Sequence, residues 1–585
     1  MLFFITTWII LTLVCFSIGT ATLNIFKADC FEQRGDRLLA AIWLGIVILA
    51  ISLLTGSLFF PLSSLVSLSI TTILISLSLL SHRTRTEIVA LRSSLAREKI
   101  LGFLTLEVVV SVLTTQQIKW FDTGLYHLGS IRWLSEFGAI YGVALINAKF
   151  GFSSSWFAFS APFTPESLGN HVGAITNSFV FLIAITHFLI ALTQIFKDRS
   201  RLSSSFVFVY LSILTSVYLV KTLIGASPLV SFSPDVPVNL LIGVTAWTIL
   251  IICQAKSSSM PNPNNSVFDA RIIPLILSSG AVTFKLSALP LLLIGILFYI
   301  LEKRFKFQRF LLGSIIIILL LLPLTIFGIK TSGCPLYPSR FMCLNVPWSV
   351  PLEQSKEEVS KIKFLWAVTT KEQSNIENIF SMFSMYCKMI KFHVEYKIMA
   401  FLVVISTISS LQILQRSKPR QLKEQIWLVL LGISGIAFII TQSPLLRFGL
   451  GYFILVPCLF IARLIRRLLN DRLSLIVRYY LIFTRLRITI KIVSLLLFII
   501  VSLLSFIPID GGIKSRWLLP AELPSIQVVN AEVNDVKYSF PAGWTVRCWA
   551  YKLPCAPVPI NENIRLRNPS RGIGAGFVRT KDVRR

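Results

Sequence analysis

The segment KWFDTGLYHL, residues 119–128, opens the stretch Ile118–Phe163 and follows a long apolar run. One carboxylate, Asp122, and one imidazole, His127, lie there among aromatic side chains, where a membrane span would meet water. Farther along, apolar residues recur at intervals of three and four, which predicts a helix along the membrane interface with Arg132 on its wet face. The apolar positions of this predicted helix are Leu134, Phe137, Tyr141, Ala144 and Leu145. We therefore expect the reacting groups of the protein in this stretch.

The composition of the 585-residue chain is that of a membrane protein, because 54% of its residues are hydrophobic, 14% are charged and the mean hydropathy is +0.75. Soluble globular domains are roughly 45–50% apolar. Apolar runs of about 17–22 residues recur, long enough or nearly so to cross a hydrocarbon core of roughly 30 Å as helices. The sequence predicts an all-α polytopic membrane protein with about fourteen transmembrane helices, in a range of about 11–14. The long runs are 3–24, 38–57, 62–80, 100–117, 171–195, 204–224, 237–254, 310–329, 397–415, 425–441 and 491–508, and the shorter candidates are 272–282, 286–301 and 449–462.

Lysine and arginine cluster in alternate loops of this predicted topology. Segment 463–491 holds eight of them and 81–99 holds five, whereas 58–61 and 225–236 hold none. By the positive-inside rule the basic loops are cytoplasmic, which predicts that both termini are extracytoplasmic. Topology thus accounts for much of the net charge of +29. No compact basic module with interleaved aromatic residues indicates a nucleic-acid partner.

Two close cysteine pairs lie in the long extracytoplasmic segments, and they predict disulfides formed in an oxidising compartment. The pairs are Cys334 with Cys343 and Cys548 with Cys555, with Cys387 left over. A metal site is the alternative, but neither pair has the spacing of a zinc knuckle and no histidine lies beside them. The predicted units are the N-terminal spans and basic loop 1–99, a transmembrane core 100–329 with the outer loop 118–170, an extracytoplasmic loop 330–396, C-terminal spans 397–508 and a small extracytoplasmic tail domain 509–585.

Four further residues are candidates for a charged site. Lys285 lies at the turn of a predicted hairpin of two short helices, where a buried ammonium needs an anionic partner such as a lipid phosphate. Arg447 is the sole charge of its short outer loop, and its planar fork suits phosphate or carboxylate oxygens, with an interfacial anchor as the alternative. Arg340 lies within the predicted Cys334–Cys343 loop. Asp235 directly precedes an apolar run, where capping of the next helix is the favoured interpretation.

Three short elements stand in order along the chain: D-x-x-x-Y-H-L at Asp122–Leu128, T-x-K-L-S at Lys285 and P-x-x-R-F-G at Arg447. An outer C-terminal segment with cysteines follows them. Together they resemble bacterial integral-membrane glycosyltransferases of the GT-C superfamily, and more narrowly a poorly characterised multi-span group within it. The resemblance covers most of residues 100–460 and extends to the tail.

The resemblance implies a transferase that takes a sugar from a polyprenyl-phosphate donor on the outer face of the bacterial inner membrane, with an acidic residue of an early outer loop as general base. In that superfamily the acidic residue commonly follows the first span, whereas Asp122 follows the fourth predicted span. Glycosyl transfer also needs a carboxylate to take the proton of the acceptor hydroxyl and cations to stabilise the leaving phosphate. The expected site residues are Asp122 and His127 for catalysis and Lys285, Arg447, Arg340, Tyr126 and Asp235 for the donor phosphate.

Two other classes of function stay open. A transporter or flippase of lipid-linked glycans would also span the membrane many times, although internal repeats are expected there and none is visible in the sequence. An O-antigen-type polymerase or ligase would share the lipid donor and depend more on Arg and His. The expected partners are a polyprenyl-phosphate-linked sugar and membrane lipid. The sequence leaves open the cofactor, including a divalent metal, and the oligomeric state.

Overall fold

The structure is a computed structural model in which residues 1–94, 96–165, 168–196, 201–225, 227–255, 268–302, 306–364, 393–470, 516–543 and 545–580 are described. These residues are mostly helical. The helices are α1 (Leu2–Ile25), α2 (Arg34–Ser57), α3 (Ser64–Leu80), α4 (His82–Ser94), α5 (Arg97–Thr114), α6 (Leu128–Glu136), α7 (Ser155–Ser160), α8 (Ile175–Phe196), α9 (Leu202–Leu223), α10 (Asp235–Gln254), α11 (Ile272–Phe284), α12 (Leu289–Leu301), α13 (Phe307–Ser332), α14 (Leu352–Phe364), α15 (Val394–Arg416), α16 (Pro419–Gln442) and α17 (Leu446–Asn470).

Within the described residues, nine helices are long and apolar enough to cross a membrane, or ten if α3 and α4, which meet at a bend of 97°, form one span. The predicted hairpin of short helices is present as α11 and α12. The predicted run 491–508 lies outside the described residues. The described part of the chain therefore supports a helical membrane protein and does not reach the predicted number of about fourteen spans.

Helix α10 lies at the centre of the bundle. It packs against α9, α11, α16 and α17, and it is buried from Asp235 through Ile252. Helices at the periphery differ, since α13 exposes large apolar side chains such as Ile318 and Leu319. An apolar surface of this kind is stable only against lipid or another protein. A polar residue on α10, by contrast, must find its partners inside the bundle.

The interfacial helix predicted through Leu145 is wrong, because α6 ends at Glu136. Gly138 and Gly142 follow with φ angles of +75° and +65°, a left-handed conformation that ends a helix and favours glycine. A Cβ atom on Gly142 would also lie 2.3 Å from the carbonyl oxygen of Phe577. Short elements continue the segment, namely the 3-10 turns Val143–Leu145 and Ala148–Gly151 and then α7.

The tail contains strands, which the prediction of an all-α protein omitted. Strands β1 (Val528–Val533) and β2 (Val536–Pro541) form an antiparallel hairpin, and β3 (Ile564–Leu566) pairs antiparallel with β4 (Phe577–Arg579). Asn534 and Asp535 form the turn between β1 and β2 with positive φ angles, the conformation of a tight two-residue hairpin turn.

The tail and the outer loop share one apolar core. Trp133 and Phe150 of the loop pack with Tyr538 and Phe577 of the tail. The Phe577 backbone N–H donates to the Tyr141 carbonyl oxygen at 2.8 Å. The predicted disulfides Cys334–Cys343 and Cys548–Cys555 are both present. Cys387 lies outside the described residues. Tail and outer loop therefore fold as one layer over the helix ends.

Candidate functional site

Two carboxylates and two cations meet at one end of the helical bundle. Arg447 Nη1 donates to Asp122 Oδ2 at 3.1 Å, and about a quarter of each side chain is exposed, 26% and 24% respectively. Lys285 Nζ forms an ion pair with Asp235 Oδ1. We call these four residues the charged cluster. Its members come from four separate segments, and their charges balance.

The backbone around Arg447 is fixed to the central helix α10 by Asn239, one turn after Asp235. The Asn239 side-chain amide donates to the Arg447 carbonyl oxygen at 3.0 Å and accepts from the Gly451 N–H at 2.8 Å. Tyr210 donates its hydroxyl proton to the Asn239 carbonyl oxygen at 2.7 Å. Asn239 thus holds the start of α17 in register with α10, and with it the position of the guanidinium.

The outer loop holds the turn that carries Lys285. Ser154 Oγ donates to the Phe284 carbonyl oxygen at 2.8 Å, and the hydroxyls of Ser155 and Thr283 lie 2.7 Å apart. Lys285 itself has an extended backbone between the two short helices. These hydrogen bonds therefore fix the position of Lys285 beside the start of α10.

Asp235 does not cap α10 with its side chain, so the favoured interpretation of this residue is wrong. Pro234 occupies the capping position, and Asp235 is the first helical residue. The loop before it is tied down by Asn177, whose amide donates to the carbonyl oxygens of Pro228 and Ser233 at 3.1 Å each. The Asp235 carboxylate is left to pair with Lys285.

Aromatic rings line the cationic side of the charged cluster. Lys285 Nζ lies 3.6 Å from the centre of the Phe448 ring. Arg447 Cζ lies 4.8 Å from the same ring and 5.6 Å from the Trp120 ring. Such contacts contribute about 0.5–2 kcal/mol each, more where water is excluded. They hold both cations without consuming their N–H donors.

Two polar atoms beside the cluster have no hydrogen-bond partner within the described part of the chain, Trp120 Nε1 and Ser287 Oγ. Buried polar atoms are nearly always paired in native proteins. Unpaired donors next to two cations are typical of a place that binds an oxygen-rich group.

Tyr126 and His127 are consecutive residues that lie near the charged cluster. His127 is 1% exposed, and its Nδ1 lies 3.2 Å from Thr123 Oγ1. Burial lowers the pKa of His127 to about 4, with Lys285 and Arg447 adding to the effect and the two aspartates opposing it. Burial likewise raises the pKa of Tyr126 well above its usual range. The imidazole is therefore neutral at pH 7, and it serves as a hydrogen-bonding group rather than as a cation.

Of the seven predicted site residues, the structure brings six together and leaves Arg340 outside. Arg340 is exposed on the loop closed by Cys334–Cys343. Asn239 was not among the predicted residues, although an amide in an otherwise apolar span is a signal that could have found it. On α14, Glu358 is 4% exposed and pairs with Lys149 at 3.2 Å.

No group of three or more His, Cys, Asp or Glu side chains within the described ranges is arranged to hold a metal ion. The charged cluster offers two carboxylate acceptors and two fixed cations, and His127 beside it adds a buried neutral imidazole. The two cations can neutralise a bound anion, and a carboxylate beside them can accept a proton.

The fold and this cluster define a helical membrane protein with a charged site at the ends of its spans. Residues 1–454 match the family described as a domain of unknown function (DUF8201). The chain belongs to that family, and the match includes every member of the charged cluster. Comparison with curated proteins and with solved structures gave no match.

Proposed function

We propose that this protein is a membrane glycosyltransferase, which moves a sugar from a polyprenyl-phosphate donor to an acceptor glycan, lipid or protein on the extracytoplasmic face. The observation that carries the proposal is the convergence of Asp122, Asp235, Lys285 and Arg447 at one end of the bundle. All four lie at helix ends that the charge pattern assigns to the extracytoplasmic side. A donor phosphate held at the depth of the lipid headgroups would reach these residues.

In the proposed reaction Lys285 and Arg447 bind the donor phosphate. The acceptor oxygen attacks the anomeric carbon, and the bond from that carbon to the phosphate oxygen breaks. Its electron pair leaves with the polyprenyl phosphate, whose negative charge the two cations stabilise. Asp122 accepts the proton of the acceptor hydroxyl. Direct displacement of this kind inverts the anomeric configuration.

The ion pair between Arg447 and Asp122 links donor binding to base catalysis. Phosphate oxygens compete with the Asp122 carboxylate for the guanidinium N–H groups, because Arg binds both kinds of anion through the same fork. A phosphate on Arg447 therefore frees Asp122 Oδ2, which now accepts at 3.1 Å, to face the acceptor. Asp235 holds Lys285, and the neutral His127 positions the segment that carries Asp122.

The test is mass spectrometry of lipid extracts from cells with the protein, without it, and with variants. Loss of the protein is expected to leave one polyprenyl-linked sugar accumulated. Asp122→Asn removes the base and is expected to slow transfer about 10²–10⁴-fold, which reproduces that accumulation.

The matched control is Asp535→Asn, the same chemical change at an exposed turn residue whose φ of 64° suits asparagine. It is expected to restore the parent lipid profile. If Asp122→Asn also restores it, base-dependent transfer is wrong, and transport or an Arg- and His-led ligation explains the cluster better.

A further inference from the structure

A groove of about 260 Å³ lies in the tail, at the open end of the β1–β2 hairpin. Its walls include the polar residues Ser525, Gln527 and Thr545 together with Arg547 and Trp549. The Ala542 N–H donates to the Gln527 carbonyl oxygen at 2.8 Å and closes the end of the hairpin. The groove is thus formed by ordered backbone, with neutral polar side chains at exposed positions.

One wall of this groove rests on the segment that carries Asp122. The Trp549 N–H donates to the Gly124 carbonyl oxygen at 3.1 Å. A Cβ atom on Gly124 would lie 2.8 Å from the Trp549 ring, so only glycine allows so close an approach. The residue that contacts the groove wall, Gly124, is therefore two positions from the proposed base along the chain.

Arg547 is held between two aromatic rings. Its Cζ lies 5.6 Å from the Phe121 ring and 5.7 Å from the Trp549 ring. Trp549 follows Cys548, which is bonded to Cys555. Next to this staple, Arg132 Nη1 donates to the Tyr551 carbonyl oxygen at 3.0 Å. The wall of the groove is consequently fixed to α6 as well as to the segment of Asp122.

We propose that this groove binds the glycan acceptor, an inference that rests on the glycosyltransferase function proposed above. The exposed hydroxyl and amide side chains of Ser525, Gln527 and Thr545 can donate to and accept from sugar hydroxyls. Arg547 is the one charged side chain among the groove residues. The volume is slightly below the roughly 300–1,000 Å³ of a typical small-molecule site, which suits about one or two sugar units.

The position of the groove would place a bound acceptor glycan close to the proposed base, Asp122. A sugar unit bound in the groove lies beside Arg547 and Trp549, which contact Phe121 and Gly124 on the two sides of Asp122 in the sequence. The next hydroxyl of the same glycan can then reach the carboxylate, while the donor is held by Lys285 and Arg447 from the lipid side. Acceptor and donor thus approach the base from two different layers of the protein.

The experiment uses the full chain in lipid nanodiscs and an array of immobilised oligosaccharides as the probe. The parent is expected to bind a subset of these glycans. Gln527→Ala combined with Thr545→Val removes two neutral hydrogen-bonding groups and is expected to weaken that binding about tenfold. Both residues are exposed, so the double variant should fold. Glu532→Ala, an exposed residue of β1 outside the groove, is the control and should bind like the parent.

Asp122→Asn separates failure of this inference from failure of the proposed function. It is expected to bind the arrayed glycans like the parent and to fail in transfer. If it transfers normally while the groove variant loses glycan binding, the groove is a glycan site and the proposed function falls. If Asp122→Asn fails in transfer while the groove variant binds glycans as tightly as the parent, the groove assignment is overturned and the transferase stands.

Three further results would overturn the groove assignment. The first is that the parent protein binds none of the glycans. The second is that inorganic phosphate displaces the bound glycan, which would make the groove an anion site. The third is that the groove variant loses binding to a peptide array and the glycans are not bound.

Discussion

Replacing Arg447 by glutamine and by lysine separates the charge of this residue from the shape of its guanidinium. Charge-assisted hydrogen bonds contribute roughly 1.5–3 kcal/mol each, and a tenfold change in an equilibrium needs about 1.4 kcal/mol. Arg447→Gln should therefore weaken the binding of polyprenyl phosphate about tenfold to a hundredfold. Arg447→Lys should restore only part of this affinity, because it keeps a point charge and loses the fork that can contact two phosphate oxygens.

The structure indicates that both variants fold. The Arg447–Asp122 pair is about one quarter exposed on both sides, so water can solvate the Asp122 carboxylate that Arg447→Gln leaves behind, and we expect a loss of stability below the roughly 3–5 kcal/mol of a fully buried pair. The backbone bond from Asn239 to the Arg447 carbonyl oxygen does not depend on the side chain. Thermal unfolding in detergent checks this expectation before binding is measured.

The assay is native mass spectrometry of the purified protein titrated with polyprenyl phosphate. Arg420→Gln is the matched control, since it makes the same change at an exposed residue of α16 away from the charged cluster. The reasoning is refuted if Arg447→Gln folds and binds polyprenyl phosphate as tightly as the parent and Arg420→Gln do. Arg447 would then be an interfacial anchor.

Four other results are expected. Asp235→Asn leaves the mostly buried Lys285 ammonium without its carboxylate and should lower stability by roughly 3–5 kcal/mol, whereas adding Lys285→Met should recover most of the loss, as thermal unfolding would show. His127 has a folded-state pKa of about 4 against about 6.5 when unfolded, so stability should fall by about 3 kcal/mol as the pH drops from about 6.5 to about 4; His127→Gln should flatten this part of a denaturation profile measured across pH. Gly142→Ala should cost roughly 1–3 kcal/mol, because its φ is positive and Phe577 blocks a Cβ atom, and a normal melting temperature would contradict this. A reporter enzyme that works only in the cytoplasm, fused to the C-terminus, should be inactive, and strong activity would refute the predicted orientation.

The sequence by itself determined the class of the protein and much of its local structure. Apolar runs long enough to cross a bilayer become helices because lipid offers the backbone no other partners, and the runs that lie in the described residues are helical. The two disulfides were predictable because each pair is close in sequence and lies in a segment that the charge pattern predicts to be extracytoplasmic. Residue type also singled out Asp122, Lys285 and Arg447, since a lone charge near an apolar run needs a partner.

Only the tertiary structure decided which charges pair. Asp235 stands 50 residues before Lys285, and Arg447 lies far from Asp122 in the chain, so no local period or spacing relates them. Their pairing depends on how α10, the α11–α12 hairpin and the start of α17 pack, and on Asn239 between them. The end of α6 was likewise hidden, because apolar spacing continues past Gly138 and Gly142 while the tail needs the chain to turn there. Packing between distant segments is a sum of many weak contacts, and a sequence pattern records only the local share of them.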